Sequence, residues 1–184
     1  MNIPNALTLL RVILIPVLVL VVYIQAPWAG LAAAGVFTLA AVTDWVDGYL
    51  ARKLDQATPF GAFLDPVADK LMVAVALILL LEMHPHPWFS IPTAIIIGRE
   101  IVISALREWM AEIGKRTSVA VSYIGKIKTT VQMIAIILLL AQPSLNNALL
   151  ANLGFISLYL AAALTLWSML IYIRAAWKDL ASSL

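Results

Sequence analysis

Five carboxylates, at Asp44, Asp47, Asp65, Asp69 and Glu100, lie within or beside long apolar stretches of a 184-residue chain. An ionised group at the centre of a membrane helix costs at least about 2.5 kcal/mol by insertion scales, so such residues need partners and mark sites of function. Glu100 adjoins Arg99, and for it an ion pair is as good a reading as a site. Spacing sets the other four apart. On a helix Asp44 and Asp47 stand at i and i+3, and Gly48, Ala51 and Arg52 follow at i+4, i+7 and i+8, so all five share one face. Gly61, Asp65 and Asp69 recur every four residues and line one face of the next helix, with Pro66 either kinking it or marking its first turn.

A short connection makes these two helices antiparallel neighbours and brings both acidic faces into one pocket. Clustered carboxylates repel one another unless cations sit between them, and oxygen donors without His or Cys select Mg²⁺, Mn²⁺ or Ca²⁺ over zinc. Four acids suffice for two ions about 3.5 to 4 Å apart, the arrangement used for displacement at phosphorus. The small residues Gly48, Ala51 and Gly61 among them either let helices pack closely or leave room for a ligand.

The elements that must position these acids are membrane helices. Charged residues make up 12% of the chain and hydrophobic ones 63%, with a mean hydropathy of +0.98. Soluble domains average about 25% charged residues, which excludes that class. Six apolar stretches, near residues 8–25, 31–52, 60–82, 89–112, 122–141 and 150–174, predict an all-α polytopic membrane protein with six transmembrane helices in a single domain, 1–184. The opening Asn2 to Thr8 is too polar for mid-bilayer and predicts a short interfacial segment before the first span. Breaks fall at Pro27, Pro59, the His84-Pro85-His86-Pro87 run, Gly114 and Gln142-Pro143-Ser144. The two histidines there read as a turn rather than a metal site. No cysteine is present, so disulfides and thiolate chemistry are excluded.

Basic residues set the expected orientation. With the N-terminus in the cytoplasm, Arg11, Arg52, Lys53, Arg107, Lys115, Arg116, Lys126, Lys128, Arg174 and Lys178 all fall on that side, whereas residues 26–30, 83–88 and 142–149 contain no Lys or Arg. Both termini and the acidic pocket are then cytoplasmic.

Taken together, Asp44-x2-Asp47-Gly48-x2-Ala51-Arg52-x8-Gly61-x3-Asp65-x3-Asp69 matches the signature of the CDP-alcohol phosphotransferases at every fixed position, and the chain resembles that family. The opening Asn2-Ile3-Pro4-Asn5-x2-Thr8-x2-Arg11, the stretches Gly98-Arg99-Glu100 and Leu106-Arg107-Glu108, and the run Val121 to Thr129 are similar to its bacterial members that make phosphatidylglycerophosphate. The resemblance implies transfer of the phosphatidyl group from CDP-diacylglycerol to sn-glycerol 3-phosphate, with release of CMP, by a homodimer in the bacterial inner membrane. It also implies that Asp44, Asp47, Asp65 and Asp69 hold two Mg²⁺ ions, or Mn²⁺, with Asp69 also accepting the alcohol proton. Gly48, Arg52 and Thr58 would contact the CDP group, helped by Asn5 and Thr8.

The acceptor's phosphate calls for a basic pocket, and the densest basic stretch runs from Arg107 to Lys128. Arg107, Arg116, Lys126 and Lys128 are candidates, although the lysines and Arg116 could equally be topology determinants meeting anionic headgroups, and Arg107 could pair with Glu108 or Glu100. Other acceptors within the family, as in cardiolipin, phosphatidylserine or phosphatidylinositol-phosphate synthesis, are the first alternative. An ion-coupled transporter is the alternative from another class, but it predicts charges spread through the bilayer depth. No feature points to nucleic acid.

Overall fold

A computed structural model describes residues 3–53, 58–114 and 123–182, and within them the side chains other than those of 3–4, 48–52, 123–124, 126, 178–180 and 182. It contains six helices: α1 (Ile3–Val22), α2 (Ala29–Lys53), α3 (Pro59–Met83), α4 (Pro87–Glu112), α5 (Tyr123–Leu145) and α6 (Ala148–Ser182). Among the described residues there is no strand.

Five of the six, all but α3, are long and apolar enough to cross a membrane. The expected third span is corrected in character rather than length. At 25 residues α3 has the reach, but Asp65, Asp69 and Lys70 crowd its first half and confine the uncharged run to its second. The polar opening from Ile3 is helical and continuous with α1. Pro4 lies in the first turn, where a missing N–H removes no helical bond.

The predicted break at Gln142-Pro143-Ser144 falls slightly later. α5 runs through Pro143 to Leu145, and the chain reverses at Asn146, whose φ of 43° is left-handed, a conformation asparagine tolerates better than most residues. Asn147 then starts α6, its Oδ1 accepting from the backbone N–H of Leu149 at 2.9 Å and of Leu150 at 3.4 Å.

The bundle is apolar outside and carries its polar groups within. Ile13, Leu20, Phe63, Ile101 and Ile156 are exposed, whereas Thr8, Arg11, Asp47, Arg99, Lys128 and Gln132 are buried. This distribution suits a hydrocarbon surround. The core joins Leu14 and Leu18 of α1, Phe37 and Ala40 of α2, Met72, Ala76 and Leu77 of α3, Ile136 and Leu139 of α5, and Leu158 and Ala161 of α6. Small residues allow the closest approaches, as membrane packing requires. A Cβ on Gly154 would lie 2.8 Å from Leu139 Cγ, so only glycine lets α6 approach α5 there.

α1 packs along both α2 and α3, α5 lies against α2 and α6, and α4 packs on α6. α2 and α3 touch each other only lightly. The two acidic faces are therefore joined chiefly through α1.

Candidate functional site

The polar third of α1 faces the acids. Asn5, Thr8 and Arg11 recur every three residues along one side of the helix; Thr8 and Arg11 meet acids of α3, and Asn5 meets Thr58, which caps it. Arg11 is 1% exposed and carries its guanidinium into the cluster. One terminal nitrogen, Nη1, donates to Asp69 Oδ1, while Nη2 donates to Asp47 Oδ2 and lies 3.3 Å from Asp44 Oδ1. Thr8 Oγ1 donates to Asp65 Oδ1. A single arginine thus contacts three acids from two helices, and the fourth acid is held by the neighbouring threonine.

At the start of α3, Thr58 is the N-cap, accepting from the backbone N–H of Gly61 at 3.0 Å and donating to Asn5 Oδ1 at 3.0 Å. Gly61 resolves the question its size raised. A Cβ there would lie 2.8 Å from Asn5 Oδ1 and would press that side chain off Thr58, so the small residue serves the Asn5–Thr58 contact. Asn5 and Thr58, both expected to contact the CDP group, bond to each other beside that contact.

A cavity of about 310 Å³ opens beside the acids. Asp44, Asp65 and Asp69 line one wall, Lys70 stands next to them, and Glu100, Lys128, Thr129 and Gln132 form the wall opposite. Asp47 is buried, while the side chains of Asp44 and Asp69 are 41% and 39% exposed. An apolar groove of about 390 Å³ between α3 and α4, lined by Leu71, Ala74, Ile97 and Ile101, shares Lys70, Val73 and Glu100 with the cavity. The polar site therefore continues into a surface that suits hydrocarbon.

Among the described residues, no group of three acids or histidines stands arranged to hold a metal ion. The acids are drawn to Arg11 and Thr8 instead. Their chemistry nonetheless fits a hard divalent cation: four carboxylates and one guanidinium leave three negative charges, all donors are oxygens, and three of the acids line the cavity.

The acceptor candidates separate. Lys128 lines the cavity, but it is buried and bonded to Glu100, which also takes Arg99 Nη1 at 3.1 Å. Arg99 Nη2 donates to Ser168 Oγ at 3.1 Å, and its guanidinium lies 5.6 Å from the Tyr172 ring centroid. The ion pair expected for Glu100 with Arg99 is present and extends to a third member. Arg107 is exposed on α4 and does not line the cavity. Arg116 lies outside the described residues, as do the side chains of Gly48, Arg52 and Lys126.

Three residues of the site had no role assigned from the sequence. Arg11 enters the sequence reading only among the basic residues that set orientation and in the N-terminal motif, and Lys70 and Gln132 have no part in its site. Gln132 is 3% exposed, and its Oε1 is buried without a hydrogen-bond partner. A glutamine amid the apolar run of α5 was the available signal for it.

Known proteins resemble this chain over nearly its whole length. The family model described as CDP-alcohol phosphatidyltransferase matches residues 1–167. A protein of Yersinia enterocolitica is 58% identical over 180 residues, covering 98% of this chain and 97% of its own length. One from Sodalis glossinidius is 57% identical over 180 residues with the same coverage, and one from Escherichia coli is 58% identical over 179 residues, covering 97% of each. All three are named CDP-diacylglycerol--glycerol-3-phosphate 3-phosphatidyltransferase.

Proposed function

The chain belongs to the CDP-alcohol phosphatidyltransferase family, and we propose that it transfers the phosphatidyl group of CDP-diacylglycerol to sn-glycerol 3-phosphate, giving phosphatidylglycerophosphate and CMP. The observation that carries this is the near-full-length likeness, at 58% identity, to enzymes named for that reaction. The site supports it. A polar cavity with acids on one wall and Lys70 and Lys128 among the others suits a reaction between two phosphate-bearing substrates, and the adjoining apolar groove suits a lipid.

Asp44, Asp47, Asp65 and Asp69 would hold Mg²⁺, as two ions, or Mn²⁺. Divalent ions in such a site neutralise the diphosphate and stabilise the departing CMP. The residues of the chain have separable tasks. Thr8 orients Asp65 by its hydrogen bond, and Arg11 gathers Asp44, Asp47 and Asp69. Asp69, partly exposed to the cavity, would take the proton from the attacking hydroxyl, which needs an acceptor within hydrogen-bond reach. Asn5 and Thr58 bond to each other at the edge of the site, and the assignment of Asn5, Thr8, Thr58, Gly48 and Arg52 to the CDP group rests on the family resemblance. On the acceptor side Lys128 faces the cavity, with Arg116 and Lys126 as its proposed companions and Arg107 the weakest candidate. The asymmetry of basic residues favours both termini on the cytoplasmic side, the bacterial relatives favour the inner membrane, and a homodimer rests on family resemblance.

Purified protein in detergent, supplied with CDP-diacylglycerol and Mg²⁺, should release CMP with sn-glycerol 3-phosphate and not with serine, inositol phosphate or phosphatidylglycerol. EDTA should abolish that release. Turnover with another acceptor but not with glycerol 3-phosphate would sink the assignment.

A further inference from the structure

We propose that Arg11 is a built-in counter-ion of the carboxylate cluster: a positioning residue that holds Asp44, Asp47 and Asp69 together when no divalent cation is bound, and that lowers cation affinity by competing for their oxygens. The proposal rests on the assignment of the four acids as cation ligands.

Three observations carry it. Arg11 reaches the acids from a third helix, and α2 and α3 pack only lightly on each other. Four like charges would drive those two helices apart, and α1 brings the positive charge that opposes this. Arginine stays protonated in any protein setting, and its rigid fork can serve carboxylates on two sides at once. Second, the guanidinium is 1% exposed and its Nε is buried without a partner, so its described hydrogen bonds all go to the acids. Third, the engaged oxygens include Asp44 Oδ1 and Asp69 Oδ1, and these two side chains are the more exposed members of the trio, lining the cavity. A cation entering from that cavity meets carboxylates already gathered and displaces part of the guanidinium's hold on them. An arginine serving only to join helices would have no such link to cation binding.

The test uses full-length wild type, Arg11→Gln and Arg11→Lys, purified in detergent with Mn²⁺ present throughout and then exchanged into defined Mn²⁺ or EDTA. Mn²⁺ affinity is read by electron paramagnetic resonance of the free ion, and stability by thermal unfolding. Arg11→Gln should bind Mn²⁺ about tenfold or more tightly than wild type, because a positive charge has left the ligand shell. Its melting temperature should fall much further in EDTA than in saturating Mn²⁺. Arg11→Lys, keeping the charge, should stay near wild-type affinity. Arg11→Gln with wild-type Mn²⁺ affinity, or with an equal loss of melting temperature in both buffers, would reduce Arg11 to a structural ion pair and overturn the proposal. Failure of Arg11→Gln to fold even in Mn²⁺ would do the same, since the cation could not then replace it. Wild type that binds no Mn²⁺ would overturn the cation assignment itself, which distinguishes the two failures.

Discussion

Replacing Glu100 by Gln tests the buried charges on the far wall of the cavity. Glu100 accepts from Lys128 and from Arg99 at 3.1 Å, and its two partners are 5% and 9% exposed. Removing the carboxylate leaves two buried cations without it, whereas removing Lys128 leaves Glu100 still paired with Arg99. Breaking a buried ion pair from one side costs about 3 to 5 kcal/mol. The Glu100 side chain is 25% exposed, so the lower end, about 3 kcal/mol, applies to Glu100→Gln. Lys128→Gln should cost less than Glu100→Gln, within the range of about 1.5 to 3 kcal/mol for a lost hydrogen bond to a charged group, because Glu100 keeps Arg99. Interhelical hydrogen bonds in bilayers average only about 0.6 kcal/mol, so a loss above 2 kcal/mol would need the uncompensated charge to explain it. Reversible unfolding in mixed micelles, compared across wild type, both single variants and the Glu100→Gln/Lys128→Met double variant, gives the free energies. The double variant should recover part of the Glu100→Gln loss. Lys128→Gln as destabilising as Glu100→Gln, or no recovery in the double variant, would refute the reasoning.

Gly61→Ala puts a Cβ 2.8 Å from Asn5 Oδ1 and 3.3 Å from Thr58 Oγ1, side-chain ends that can turn aside, so it should strain the Asn5–Thr58 hydrogen bond and cost no more than about 1 kcal/mol. In unfolding experiments Asn5→Ala should relieve most of that strain. Asp69→Asn should lower kcat by at least about a hundredfold, far more than it weakens CDP-diacylglycerol binding, since three other acids remain to hold the cations; turnover within tenfold of wild type would remove Asp69 from the role of base. Outside the membrane-spanning segments, burial beside Phe89 and Phe155 lowers the pKa of His84 from 6.5. The unfolded chain then binds the extra proton first, so folding stability should fall as pH drops below about 6.5 toward the folded-state value. His84→Gln should flatten that slope in melts followed across pH.

The acidic faces were legible in advance because each is a local property, a spacing of three or four residues on one helix. So were the helices, whose apolar runs exceed anything a soluble fold would expose. What joins the faces was not legible. Arg11 meets its acids 36 and 58 positions away, and Thr8 meets Asp65 across 57. A lone arginine near the start of an apolar helix looks the same whether it anchors topology or neutralises a distant cluster. The same holds for Lys128, whose partner Glu100 is 28 residues distant, and for Gly61, whose small size concerns α1 rather than its own helix. Boundary errors had local causes. A proline removes one N–H, and near the end of α5 the helix ran through it to the residue that tolerates left-handed backbone.

The length of α6 changes which force holds its end. Its 35 residues extend about 52 Å at 1.5 Å per residue, against a hydrocarbon core of about 30 Å. Tyr172 and Ala176 near that end pack on Ile103 and Met110 of α4, in a small cluster separate from the main core. Within the lipid tails, apolar contacts gain nothing from the exclusion of water and rely on close fit. Wherever α6 outruns the tails the exclusion of water operates again, so the last turns of this helix are held partly as a soluble protein is. Urea, which weakens that force, should therefore loosen the end of α6 before the lipid-embedded bundle.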